Sequence, residues 1–172
     1  MAPATCYVRE QLGGGRPVQI RALRPLDEAN LLVAIDRTGT EYLQRRFCVT
    51  KRGFSIKEKA FFMKIDFANH VTLIATIKED DRPAIVGGGR YIVTKSGHAE
   101  VAFMVVEAYQ GQGIGAILTR HLVEIARAAR LKQLAAHVQP ENIAMLKVLE
   151  KLGFQNAPSL DPRILHLALS LV

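Results

Sequence analysis

The stretch VVEAYQGQGIGAIL, residues 105–118, decides how the chain is read: residues 110–115 hold three glycines and two glutamines between apolar flanks. Glycine at that density weakens a helix or strand interior, so the backbone here is kept bare for a close approach. An anion such as a phosphate is the natural visitor, and three kinds of loop are candidates. A P-loop needs a lysine directly after its last glycine, and none follows here. A dinucleotide fingerprint is satisfied in letters by Gly111, Gly113 and Ala116. However, Glu107 to Gln110 separate that motif from the preceding strand, and too little chain follows for further βα units. The third candidate is a cradle for the pyrophosphate of coenzyme A. Backbone N–H groups of Gln112, Gly113, Ile114, Gly115 and Ala116 would converge at the start of the next helix, where orphan donors and the helix dipole favour an anion.

The flanking chain supplies the elements. VQIRAL (18–23) reads as a strand, and Pro25 with Asp27 and Glu28 opens a helix. EYLQRRF (41–47) reads as a second short helix, and a third begins near Ser55 after Gly53. VTLIATI (71–77), AIVGGGRYIVT (84–94) and AEVAFMVV (99–106) form an antiparallel meander joined by the turns KEDDRP and KSGH. Glycines 87–89 inside the middle strand imply a bulge or a close approach. After the loop, Ile114, Leu118, Leu122, Ile125 and Ala129 share one helix face. KQLAAHV (132–138) is a strand, ENIAMLKVLEKL (141–152) a helix closed by Gly153, and RILHLALSLV (163–172) a last strand. That strand is able to pair within the chain or across a homodimer. Residues 1–16 read as a flexible arm, and 17–172 as one α+β domain.

Composition narrows the partners. The chain has 172 residues, 49% hydrophobic and 23% charged, as an ordinary globular domain has. Its net charge of +7 is spread over separated basic pairs rather than one patch, and aromatics are only 6% with no Trp. That pattern reads as a solvated basic surface, not a nucleic-acid footprint. Cys6 and Cys48 offer neither a metal-ligand spacing nor a disulfide framework. No apolar run reaches membrane-spanning length, and the N-terminus lacks a signal-peptide core, so a cytoplasmic location is expected.

Gln110-x-x-Gly113-x-Gly115 after a strand resembles the acetyl-CoA signature of the GNAT acetyltransferase superfamily. HVQPENIAMLKVLEKLGF (137–154) is similar to that superfamily's second motif, an asparagine opening a helix that ends in Leu-Gly-Phe. IRALRPLDEANL, YLQRRF and HVTLIATI look like single-domain relatives of bacterial Pat-type protein-lysine acetyltransferases. The resemblance implies a mixed α/β fold with a mostly antiparallel twisted sheet of six to seven strands and a splayed strand pair at the cofactor site. It implies acetyl-CoA as co-substrate, no metal, and an amine acceptor. It assigns the backbone of Met104, Val105 and Val106, the loop residues Gln110, Gly111, Gln112, Gly113, Ile114, Gly115 and Ala116, and the Asn142 side chain to the cofactor. Asn142 also reads as a plain helix cap.

Glu100 shares a strand face with Ala102 and Met104. Its place in AEVAF matches the glutamate that lysine acetyltransferases of this superfamily use as general base, directly or through water. The rival reading pairs it with a nearby cation, His98 or Lys95. Many relatives place a tyrosine seven residues after the asparagine to protonate the leaving thiolate; here the residue is Leu149. The five histidines are scattered and read as structural, although His137 lies close to the expected cleft. The acceptor is either a protein lysine or a small amine, and a non-catalytic acyl-CoA sensor is the third reading.

Overall fold

The structure, a computed structural model, describes residues 3–38 and 55–172. The helix expected over 41–47, with Cys48 and Gly53, lies outside the described residues. Eight strands form one sheet in the order β1-β2-β3-β4-β5-β6-β8-β7. They are β1 (Tyr7–Gln11), β2 (Pro17–Ala22), β3 (His70–Glu79), β4 (Arg82–Lys95), β5 (His98–Val105), β6 (Gln133–Val138), β7 (Gln155–Ala157) and β8 (Leu165–Ser170). Every neighbouring pair is antiparallel except β5 and β6, which run parallel. The described helices are α1 (Glu28–Asp36), α2 (Ile56–Phe62), α3 (Ile114–Ala128) and α4 (Ile143–Lys151). None of the described helices is long and apolar enough to cross a membrane.

Two expectations change. Residues 1–16 are not a flexible arm throughout: Tyr7–Gln11 pairs antiparallel with β2, from Tyr7↔Arg21 to Gln11↔Pro17. Its alternation of polar and less polar residues is that of an edge strand exposed on one side, a pattern polar enough to resemble a tail. The short polar strand β7 escapes the sequence for the same reason, and with it the sheet reaches eight strands. The final strand pairs within the chain, between β6 and β7.

The KEDDRP turn is tighter than the sequence suggests. Only Asp80 and Asp81 separate β3 from β4, both at positive φ (49° and 63°). That backbone twist matches two-residue hairpins between right-twisted strands.

Glycines 87–89 turn out to combine a bulge and a close approach. Thr76 faces Ile85 while Ala75 faces Gly87, which leaves Val86 as the inserted residue. Beyond the bulge, α3 lies on the face formed by Gly87 and Gly89, with Ile114, Leu118 and Leu122 seated there fully buried. Burying each such aliphatic side chain contributes about 1.5–3 kcal/mol. On β5, Phe103 faces α3, so Glu100, Ala102 and Met104 face the other way. That opposite face is approached by α2, whose Phe61 and Phe62 rings flank the Arg90 guanidinium at 5.1 and 4.8 Å.

Candidate active site

The parallel pairing of β5 and β6 stops early. Val101↔Ala136 is its last register pair, and the remaining residues of the two strands diverge. Beyond the parting, β6 continues only along β8, through His137↔His166 and Val138↔Leu165. A cleft opens in this V, lined by Ala102, Phe103, His137, Asn142, Met145 and Leu149 among others.

The glycine loop stands at the open end of the cleft. A single 3-10 turn, Glu107–Tyr109, links β5 to the loop and accounts for the gap that argued against a dinucleotide fold. Gly111 and Gly113 adopt φ of 78° and 96°, and a Cβ on either would meet nothing within 4 Å. Their bareness therefore serves conformation and outward access, not internal packing. Gly113 is the residue before the first turn of α3, and Ile117 N–H is bonded to its carbonyl. The N–H groups of Ile114, Gly115 and Ala116 have no acceptor within the helix. No acidic side chain occupies that first turn, so the dipole is left to attract an outside anion. A Cβ on Gly115 would approach Met145 Cε at 3.6 Å, which marks where α4 closes over the loop. These features fit a pyrophosphate-bearing cofactor.

The loop is braced from behind. The Tyr109 hydroxyl donates to Glu79 Oε1 at 2.8 Å, and Arg37 Nη2 reaches the same oxygen at 2.9 Å. The Arg37 hydrogen bond and then that of Tyr109 hold the Glu79 carboxyl below its usual range, while burial and Glu79 push the Tyr109 phenol up. Arg16 lies over the Tyr109 ring at 5.5 Å, and Gly13 N–H donates to the Gln112 carbonyl. The β1–β2 hairpin thus steadies the loop across a sequence separation no motif search would span.

The backbone assignments separate. Val106 is already engaged on both sides: its N–H donates to Val86 and its carbonyl accepts from Tyr109, at 2.8 Å each. The Val106 N–H is therefore committed to β4, and its carbonyl keeps one lone pair beyond the bond from Tyr109. Antiparallel alternation also turns the backbone of Met104 toward its partner Gly88 on β4. Of the three, only Val105 has its N–H on the cleft side, and its carbonyl accepts from the Gln110 side-chain amide at 3.1 Å. Gln110 therefore ties the loop to the strand end. Asn142 Oδ1 accepts from Met145 N–H at 3.3 Å, so it caps α4 while lining the cleft.

Glu100 lies just before the vertex of the V, and its neighbour is neither His98 nor Lys95. His137 Nδ1 stands 3.3 Å from Glu100 Oε1, with both side chains 38% exposed. His98 instead turns its Nδ1 to the Ser96 carbonyl at 2.9 Å. The His137 ring is stacked on His166 at 4.2 Å between centroids and 22° between planes. Scattered in sequence, these two histidines meet because β6 and β8 are register partners. Leu149 is fully buried against the cleft floor and carries no proton to give. No cluster of three or more metal-binding side chains occurs among the described residues.

Comparison with known proteins agrees with this geometry. The profile of the acetyltransferase (GNAT) family matches residues 40–154. The chain belongs to that family. It is an acetyl-CoA-dependent acetyltransferase. A Pseudomonas aeruginosa acetyltransferase is 31% identical over 160 residues, spanning 91% of this chain and 86% of its own length. The Mycolicibacterium smegmatis acetyltransferase Pat is 33% identical over 150 residues, 80% of this chain but only 43% of that protein. The acetyltransferase fold superposes on the GNAT domain of Streptomyces lividans PAT with a TM-score of 0.88 at 26% identity, covering 95% of this chain and 96% of that one. A Salmonella typhimurium protein solved with its cofactor acetyl-CoA shares the fold at 16% identity and a TM-score of 0.72, covering 90% of this chain and 94% of that one.

Proposed function

We propose that this acetyltransferase acylates a primary amine carried on a protein lysine, with Glu100 as general base in a direct attack. The observation that carries the reading is the position of Glu100: a half-exposed carboxylate at the vertex of the cofactor cleft, reachable from outside. The acceptor class follows from the resemblance to Pat-type protein-lysine acetyltransferases, and the likeness to proteins named Pat and PAT is in keeping with that resemblance.

Acetyl-CoA, when bound, supplies the acetyl group as an activated thioester. The loop N–H groups from Gln112 to Ala116 would hold its pyrophosphate, and Val105 N–H with Asn142 would line its arm. The remaining task of the chain is to free a lone pair. A lysine with the ordinary pKa near 10.4 is protonated at pH 7 by about 3.4 units, so its neutral form lies about 4.6 kcal/mol uphill. A carboxylate that accepts the proton in place contributes about 10²–10⁴-fold in rate. Leu149 cannot protonate the departing thiolate, which with an ordinary thiol pKa near 8.5 leaves without a dedicated acid.

Substitution Glu100→Gln tests the base. Turnover is expected to fall by about 10²–10⁴-fold while acetyl-CoA affinity stays within twofold, about 0.4 kcal/mol. Unchanged turnover would remove Glu100 from the mechanism. Incubation with labelled acetyl-CoA and a cell lysate identifies the acceptor; label on small amines alone would overturn the protein-lysine reading.

A further inference from the structure

Glu100 and His137 are 37 positions apart in the chain, yet their side chains face each other where β5 and β6 part. Val101 and Ala136 are the last paired residues, so Glu100 sits on the closed side of the vertex and His137 on the open side. A carboxylate 3.3 Å from an imidazole, each partly open to water, stands at ion-pair distance, close enough for a hydrogen bond to tighten in the substrate complex. The His166 ring stacked on His137 fixes its plane, and His166 is in turn held on β8 by its register partners His137 and Ala157.

Turning an ammonium into an amide removes two protons. One balances the departing thiolate; the other has to reach solvent before the next turnover. In the absence of a tyrosine at Leu149, the described cleft offers one other ionisable pair for this traffic. We propose that His137 is a positioning and relay residue: it takes the acceptor's proton from Glu100 and passes it to water. This rests on the reading of Glu100 as general base. Glu100 Oε1 delivers the proton to Nδ1 of a ring protonated at Nε2; the Nε2 proton then leaves to water. Glu100 returns to its ionised form and the ring to neutrality with its proton on Nδ1; a proton taken from water at Nε2 and loss of the Nδ1 proton to water then restore the starting tautomer, so one proton per turnover ends in solvent. No other group is consumed.

The experiment compares wild-type protein with Glu100→Gln, His137→Ala and His137→Asn. Initial rates of transfer from labelled acetyl-CoA are measured to lysate protein and to Nα-acetyl-lysine amide, alongside acetyl-CoA affinity and thermal melting. His137→Ala is expected to lose about tenfold or more in kcat, with acetyl-CoA affinity and melting unchanged. Added imidazole should restore much of that loss, and should do nothing for Glu100→Gln. His137→Asn keeps an N–H near Nδ1 but cannot relay, so it should stay low; it also serves if the alanine variant melts early. A His137→Asn variant as active as wild type, or an alanine variant within twofold of it, overturns the relay. Failure of imidazole to rescue overturns it as well. Those outcomes leave Glu100 in place as long as Glu100→Gln is inactive. Retained activity in Glu100→Gln, or no transfer by wild type, overturns the base reading and the relay together.

Discussion

Gly87 lies directly beneath Ile114, the first residue of α3: a Cβ on Gly87 would stand 2.7 Å from Ile114 Cγ2 and 3.3 Å from the Met104 carbonyl. Ile114 is fully buried and β-branched, so it has little freedom to yield. Gly87→Ala is expected to cost about 1–3 kcal/mol by overpacking, and to weaken acetyl-CoA binding by tilting the helix that carries the loop. Gly88 is the internal control. Its Cβ would meet nothing closer than 3.7 Å, so Gly88→Ala should leave stability unchanged or raise it by up to about 1 kcal/mol. Urea unfolding of the two variants checks the contrast.

Gly113 poses the opposite case, open space but an unfavourable φ of 96°. Gly113→Ala should lose about 1–2 kcal/mol of stability from left-handed strain. It should also weaken acetyl-CoA about tenfold, or about 1.4 kcal/mol, because the new methyl stands where the phosphate would approach. Gly97→Ala, strained alike at φ 77° in the turn before β5, should lower stability and leave the affinity alone. Calorimetric titration with acetyl-CoA distinguishes them.

Asn142 has two roles that substitution can divide. Asn142→Asp preserves an acceptor for Met145 N–H and adds a charge the helix start favours, so melting should hold or rise. The same charge faces the cleft, so acetyl-CoA affinity should fall. Asn142→Ala should lose the cap, about 1 kcal/mol, and the cleft contact together. Equal melting for both variants would remove the capping role.

Acid should destabilise the fold in two stages. Burial, and secondarily the Arg90 charge, hold the His70 imidazole below its ordinary value of 6.5. The unfolded chain therefore binds a proton that the folded chain refuses, and stability declines as pH falls below about 6.5 until the folded value is reached. His70→Gln should flatten that stage. Asp27 supplies the second. Burial pushes its carboxyl up, but two 2.7 Å bonds from Arg21 and one from Arg24 N–H outweigh this and hold it down. Its contribution is full above the ordinary value of 3.8 and is lost as pH falls through the lower folded value. Asp27→Asn should cost about 3 kcal/mol at neutral pH, since it leaves the partly buried Arg21 unpaired. Unfolding midpoints measured across the acid range check both stages.

Much of this molecule was legible along the chain. The loop from Gln110 to Gly115, the caps at Asn142 and Gly153, the period-2 strands and the helical face of Ile114, Leu118 and Leu122 all rest on steric and capping rules that act over a few residues. They suffice for the order of most elements, the bare glycine loop and the candidacy of Glu100. The polar edge strands β1 and β7 were not legible, because an edge buries too little for its pattern to differ from a loop. Nor was the pairing of Glu100 with His137, the stacking of His137 on His166, or the engagement of Val106 by Val86 and Tyr109. Those depend on which strands lie side by side and in which register, and on β5 and β6 parting after Val101 and Ala136. Sequence by itself determined the bare glycine loop ahead of α3 and the candidacy of Glu100. Only the tertiary structure decided what that carboxylate faces and which backbone amide is open to the cleft, because strand register joins residues that no local rule connects.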